Sequence, residues 1–161
     1  MADPAAAHAR RGPRQGGPED LVERAREVAV RAHAGQLDKV GEDYVAAHVA
    51  DVARRLGGAP AEVVAVGWLH DVLEDTAVTE AELREGFPAE VVDAVRAISR
   101  VPGEPGDGYY ARVRADALAL RVKLADIASN TDPARTARLE PGTRERLARK
   151  YEHALAVLTA P

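Results

Sequence analysis

The sequence predicts an all-α domain, an irregular bundle of about eight helices. Two observations carry that expectation. Apolar residues recur at three- and four-residue spacing in segment after segment, and no segment alternates with the period of two that a half-buried strand requires. A chain of 161 residues that is 46% hydrophobic can bury one core and is short for two, so a single domain over 19–161 is expected. Residues 1–18 are rich in Ala, Arg, Gly and Pro without periodicity and read as a disordered tail.

The first helix is expected over Glu19–Ala34, where Leu21, Val22, Ala25, Val28, Ala29 and Ala32 line one side and Gly35 supplies a stop. A polar loop, GQLDKVGEDY, leads to a second helix over Val45–Leu56 that ends at Gly57-Gly58. Pro60 opens the third. Its residues Val63, Val64, Val66, Trp68, Leu69, Val72 and Leu73 are apolar nearly all round, which places it at the centre of the bundle. Thr79 and Glu82 fit a capping box for a fourth helix ending at Gly86, and Pro88 starts a fifth that runs to Ile98. After the loop VPGEPGDG come helices over Tyr109–Arg114, Asp116–Ser129 and, past a Pro- and Gly-containing connection, Thr143–Leu158.

The absence of cysteine removes thiol nucleophiles, disulfides and Cys-type zinc sites, leaving His and carboxylates as metal ligands. A net charge of −4 without a basic cluster argues against a nucleic-acid partner. Neither a signal-type apolar run nor a membrane-length stretch is present, so a cytoplasmic protein with no membrane partner is expected, with homo-oligomerisation left open. Gly103, Gly106 and Gly108 do not form a phosphate loop, because no strand precedes them and prolines interrupt.

The chemistry concentrates at the exit of the apolar third helix, where His70-Asp71 is followed by Glu74-Asp75. If the helix continues, Glu74 stacks beneath His70 and Asp75 beneath Asp71, and gathering these carboxylates without a cation would be costly. Asp126, set among Leu120, Val122, Leu124 and Ile127, and His48, set among Val45, Ala46, Val49 and Val52, are the candidates to complete a metal shell. Two imidazoles and two carboxylates suit Mn²⁺, Fe²⁺ or Zn²⁺. The plainer alternatives are an ion-pair network for His70-Asp71 and a helix ion pair with Lys123 or Arg121 for Asp126. His33 reads as a core histidine or a support to the site, and His8 and His153 carry no role.

These residues resemble the HD-domain hydrolases of RelA/SpoT type, in particular the stand-alone small alarmone hydrolases. The matching stretches are AHAGQLDKVGEDYVAAH (32–48), WLHDVLEDT (68–76), TEAELREGFPAEVVDAV (79–95) and VKLADIASN (122–130). The resemblance implies metal ligands at His48, His70, Asp71 and Asp126, paired catalytic acids at Glu74 and Asp75, and substrate contacts from Asn130 and Tyr151. It also implies Mn²⁺-dependent removal of the 3′-pyrophosphate of ppGpp and pppGpp. Lys39 would then act as a point charge on phosphate. A synthetase activity is not expected. Other nucleotides in the same chemistry (ppApp, a nucleoside monophosphate, NADPH) and a non-catalytic nucleotide-binding module are the alternatives.

Three departures from the family pattern stand out. Asp38-Lys39 replaces an Arg-Lys pair whose arginine packs on guanine, which leaves base preference open. One extra residue lies between Tyr44 and His48, an insertion expected to shift the preceding loop. Thr131-Asp132-Pro133 replaces a basic residue and a threonine after Asn130.

Overall fold

The computed structural model describes residues 16–161. The tail expected over 1–18 falls almost wholly outside that range, and Pro18 already occupies the first turn of α1 (Pro18–Ala32). Among the described residues every regular element is helical, apart from one bridge between Leu37 and Asp43. A π-helical turn (Val45–Val49) runs into α2 (Ala50–Arg55), and then follow α3 (Ala61–Leu69), α4 (Val72–Asp75), α5 (Glu80–Gly86) and α6 (Ala89–Ile98). The chain ends with α7 (Gly106–Ala115), α8 (Ala117–Asn130), α9 (Pro133–Thr136) and α10 (Pro141–Leu158).

The all-round apolar α3 is the central rod, packed against α1, α2, α6 and α8. Val63, Ala65, Val66 and Leu69 are buried on it. The amphipathic α1 lays Leu21, Ala25 and Ala29 along it. Contact with α2 is close because Gly67 has no side chain: a Cβ there would lie 2.6 Å from Leu56 Cδ1 and 3.6 Å from Ala53 Cα. α10 closes the bundle through Leu147, Tyr151, Ala154 and Leu158, spaced by three to four residues. The Thr79–Glu82 capping box forms, with Thr79 N–H donating to Glu82 Oε2 at 2.8 Å.

Five expectations about the elements are corrected. The third helix does not run unbroken to Leu73. In an unbroken helix the Gly67 carbonyl would accept from the Asp71 N–H, but here the Nδ1–H of His70 donates to it at 2.7 Å, and the chain turns before resuming as α4. The extra residue before His48 is absorbed inside the helix: Ala50 N–H donates to Val45 O, five residues back, so the insertion becomes a π-turn that carries His48. The connection after Asn130 is a helical turn, α9, capped by Asp132, whose Oδ1 accepts from Ala134 N–H at 2.9 Å with Pro133 at the first position. Pro105 and Pro141 likewise start α7 and α10 earlier than the apolar periodicity indicated.

Candidate metal centre and substrate cavity

Six segments of the chain converge on one cavity of about 450 Å³, and all nine residues expected at the site line it. The π-turn presents His48, the break after α3 presents His70 and Asp71, α4 presents Glu74 and Asp75, and α8 presents Asp126 and Asn130. Lys39 comes from the loop after α1 and Tyr151 from α10.

His48, His70 and Asp126, all buried, offer ligand atoms that lie within 4.8 Å of one another. His48 Nε2 is 3.2 Å from Asp126 Oδ1, and His70 Nε2 is 3.9 Å from the same oxygen. Asp71, expected as a further ligand, touches the group from its edge: its Oδ2 lies 3.0 Å from His70 Nε2 and 3.7 Å from His48 Nε2. That oxygen also accepts the Tyr44 hydroxyl at 2.6 Å. Nothing in the sequence marks Tyr44 for the site, since a tyrosine in a polar loop carries no signal of what it will face.

The donor set fits a divalent cation. Because the Nδ1–H of His70 is spent on Gly67 O, Nε2 is left buried and facing two carboxylates, 3.0 Å from Asp71 Oδ2 but without an aligned hydrogen bond. A buried imidazole nitrogen in that position is a ligand in waiting, held in tautomer and orientation by the bond on its other side. The carboxylates respond to the same neighbours. Burial alone would raise Asp126, but the Lys123 ammonium and the two imidazoles hold it well below the usual carboxylate range. Burial likewise works against Asp71, and the neighbouring His70 overrides it and lowers the carboxyl. Tyr44 is pushed up by burial and by Asp71, so its hydroxyl stays protonated and donates.

The plainer reading of Asp126 is also realised. Its Oδ2 accepts from Lys123 Nζ at 2.7 Å, while Oδ1 faces His48 and accepts from Asn130 Nδ2 at 2.7 Å. One carboxylate therefore serves an ion pair and the imidazole group at once. His33 supports the periphery: it is buried, bonds Gln36 Oε1 at 2.7 Å and stacks obliquely on Tyr44. His153 is exposed, near Asp107, and His8 lies outside the described residues.

Behind His48 a short relay sets its orientation. His48 Nδ1 lies 3.2 Å from Ser129 Oγ, and Ser129 in turn lies against the Asp51 carboxylate, which Arg54 and Arg55 clamp. Ser129→Ala should leave a folded protein whose metal affinity is lower by about 10- to 100-fold, the usual effect of losing such a partner. Calorimetric titration of metal into chelator-treated protein measures it, and an unchanged affinity would exclude the relay.

Asp51 also makes a pH-dependent contribution to stability. Burial would raise its carboxyl, but the hydrogen bonds from Arg55, Ser129 and Arg54 outweigh it and leave the group at about 2. Its folded pKa lies below that of the unfolded chain, about 3.9, so the stabilisation is complete above that value and is lost as pH falls toward 2. The melting temperatures of the parent and Asp51→Asn should therefore differ at pH 5 and converge near pH 2. A gap that is constant with pH would contradict this assignment.

Two of the departures from the family pattern meet in space. Asp38 turns inward, its side chain only 2% exposed. Oδ1 accepts from the Val40 and Glu42 N–H groups and Oδ2 lies 3.3 Å from Arg135 of α9. Arg135 also donates to Ala47 O at 2.7 Å and lines the cavity. A guanidinium from α9 thus stands beside the loop whose own arginine is replaced, and Arg55–Asp132 and Arg138–Glu42 brace the same junction at 2.8 and 2.6 Å.

A bundle that brings two imidazoles and a buried aspartate together at the break after its central helix defines an HD-type domain, and the HD domain family matches residues 25–160. The chain belongs to that family. It is 32% identical over 151 residues to a GTP pyrophosphokinase of Myxococcus xanthus, a match covering 86% of this chain and 20% of that protein. It is 31% identical over 122 residues to a guanosine-3′,5′-bis(diphosphate) 3′-pyrophosphohydrolase of Aquifex aeolicus, covering 71% of this chain and 17% of that one. The chain spans about a fifth of the length of these curated relatives. The fold matches that of a metazoan ortholog of SpoT, described as hydrolyzing ppGpp, with a TM-score of 0.74 at 18% identity over 87% of this chain and 86% of that one. Among the described residues no helix is long and apolar enough to cross a membrane.

Proposed function

We propose that this domain is a Mn²⁺-dependent pyrophosphohydrolase that removes the 3′-diphosphate of (p)ppGpp-like alarmones in the cytoplasm. The observation that carries the reading is the buried Nε2 of His70, which makes no aligned hydrogen bond and faces Asp71 and Asp126 in the wall of a nucleotide-sized cavity. His48, His70, Asp71 and Asp126 would hold the cation. When bound, it supplies Lewis acidity toward a phosphoryl oxygen and an activated water. The relatives' names point to the same substrate class.

In this reaction the oxygen of water bonds to the phosphorus attached to the ribose 3′-oxygen, the bond from that phosphorus to the ribose breaks, and pyrophosphate leaves. The water's proton passes to a carboxylate, and the departing ribose oxygen takes one up. Asp75 suits the first role, since burial and the Asp71 charge raise its pKa toward the range where a base can both take and return a proton. Glu74 is held at the cavity rim by the Arg100 N–H, which donates to its Oε2 at 3.0 Å. Asn130, tied to Asp126, and Lys39 contact the substrate, and the Tyr151 ring forms part of the wall against which the nucleoside rests.

The deciding experiment is a Mn²⁺-supplemented screen for phosphate and pyrophosphate release over ppGpp, ppApp, nucleoside mono- and triphosphates, and NADPH. Pyrophosphate release from a 3′-diphosphate is the expected result. Release of orthophosphate alone from a monophosphate or NADPH would replace the substrate assignment. Nucleotide binding without turnover by metal-loaded protein would make the domain a sensor.

A further inference from the structure

A helix leaves its last four carbonyls without an N–H from a following turn. At the end of α6 side chains take that place. Ser99 gives both its N–H and its hydroxyl to Val95 O, at 3.1 and 2.7 Å. Nη1 of Arg112, from α7, reaches Arg96 O and Ala97 O at 2.8 Å each and Ser99 O at 3.0 Å. The Tyr109 hydroxyl donates to Ile98 O at 2.8 Å. Glu104 fixes another edge of the Arg112 guanidinium, its Oε1 accepting from Nε at 3.1 Å. Arg112 thus stands behind the corner at Ser99–Arg100, whereas Ile98, Arg100 and Tyr109 line the cavity.

The Arg96 carbonyl is the informative one. Were α6 to continue, the Arg100 N–H would donate to it, four residues back. With Arg112 in that position the chain leaves the helix at Ser99, whose backbone is extended (φ −80°, ψ 133°), and the Arg100 N–H goes to Glu74 Oε2 at 3.0 Å. We infer that Arg112 is a positioning residue for Glu74: it takes the Arg96 carbonyl, frees the Arg100 N–H and so holds the Glu74 carboxylate at the cavity rim. Its charge acts in the same direction. Bare carbonyls at the C-terminal end of a helix carry partial negative charge and would repel a carboxylate docked on the next N–H, and the guanidinium covers them. That Glu74 serves hydrolysis rests on the reading above, whereas the coupling of Arg112 to Glu74 does not.

The test is a double-mutant cycle between Arg112→Met and Glu74→Gln in the full chain, read as turnover of ppGpp with Mn²⁺. Arg112→Met should lower kcat by about tenfold, the scale of one hydrogen bond to a charged group, with KM and metal content unchanged. In the Glu74→Gln background the same substitution should cost less than about twofold. A loss of about tenfold in both backgrounds, or a parent-like kcat in Arg112→Met, would overturn the assignment. Arg112→Lys keeps the charge and loses the fork, so its kcat should fall between those of the parent and Arg112→Met, and it carries the cycle should Arg112→Met fail to fold. Amide hydrogen exchange at Arg100 reads the coupling without activity. Arg112→Met and Glu74→Ala should each speed it by about tenfold, and the double variant no more than either. That pattern in a chain that hydrolyses no nucleotide would leave the positioning standing and remove the hydrolase reading. Additive effects on exchange would overturn the positioning even with hydrolysis intact.

Discussion

Asp126→Asn is expected to yield protein with less than about a tenth of the parent's bound metal and with hydrolysis at background. The substitution preserves shape and removes one charge, but that charge has several dependents. Oδ1 faces His48 Nε2 at 3.2 Å and takes the Asn130 amide, and Oδ2 neutralises the largely buried Lys123. Burial opposes the Lys123 charge, and Asp126 more than compensates, keeping the ammonium protonated. Leaving a buried cation without its partner costs about 3 kcal/mol, so the variant should also melt on the order of 10 °C lower. Elemental analysis and a thermal scan on one preparation read both effects. A variant that keeps stoichiometric metal would remove Asp126 from the ligand set, whatever its stability.

Glu74→Gln and Asp75→Asn should separate metal from chemistry. Both residues are exposed at the cavity rim, outside the buried His48–His70–Asp126 group, so each variant should retain the parent's metal content and melting temperature. Turnover should drop by about 10²- to 10⁴-fold, the range for a positioned proton-transfer group. Asp75→Asn is expected to be the more severe, because partial desolvation and the Asp71 charge raise the Asp75 pKa. If both variants turn over within twofold of the parent, proton transfer is handled elsewhere. In that case Tyr44, already donating to Asp71 Oδ2, is the next group to vary.

Much of the fold could be read from the chain because its cues are local. The all-round apolar character of α3 announces a central helix, and the Thr79–Glu82 pair announces a start, since each depends on spacing within one segment. The Asp132-Pro133 pair is a local start signal too, but the single helical turn that follows it is too short to show an apolar period. The break at His70–Asp71 was not legible. It depends on which donor, a side chain or a backbone N–H, takes the Gly67 carbonyl.

The sequence by itself determined the family of the protein and which residues would meet in its cavity. An apolar helix ending in His70-Asp71, a carboxylate stranded among leucines and valines, and a histidine on an apolar face each carry a cost of burial that is visible in one dimension and that one shared ion would relieve. Only the tertiary structure decided how those residues face one another: that Asp126 divides its two oxygens between Lys123 and the imidazole group, that Asp71 is shared with Tyr44, and that Ser129 steers His48. It also decided that Asp38 and Arg135 are one device. Pairings across 26 to 97 positions of chain are set by how helices pack, and packing is a property of the whole core that no local pattern of charge encodes.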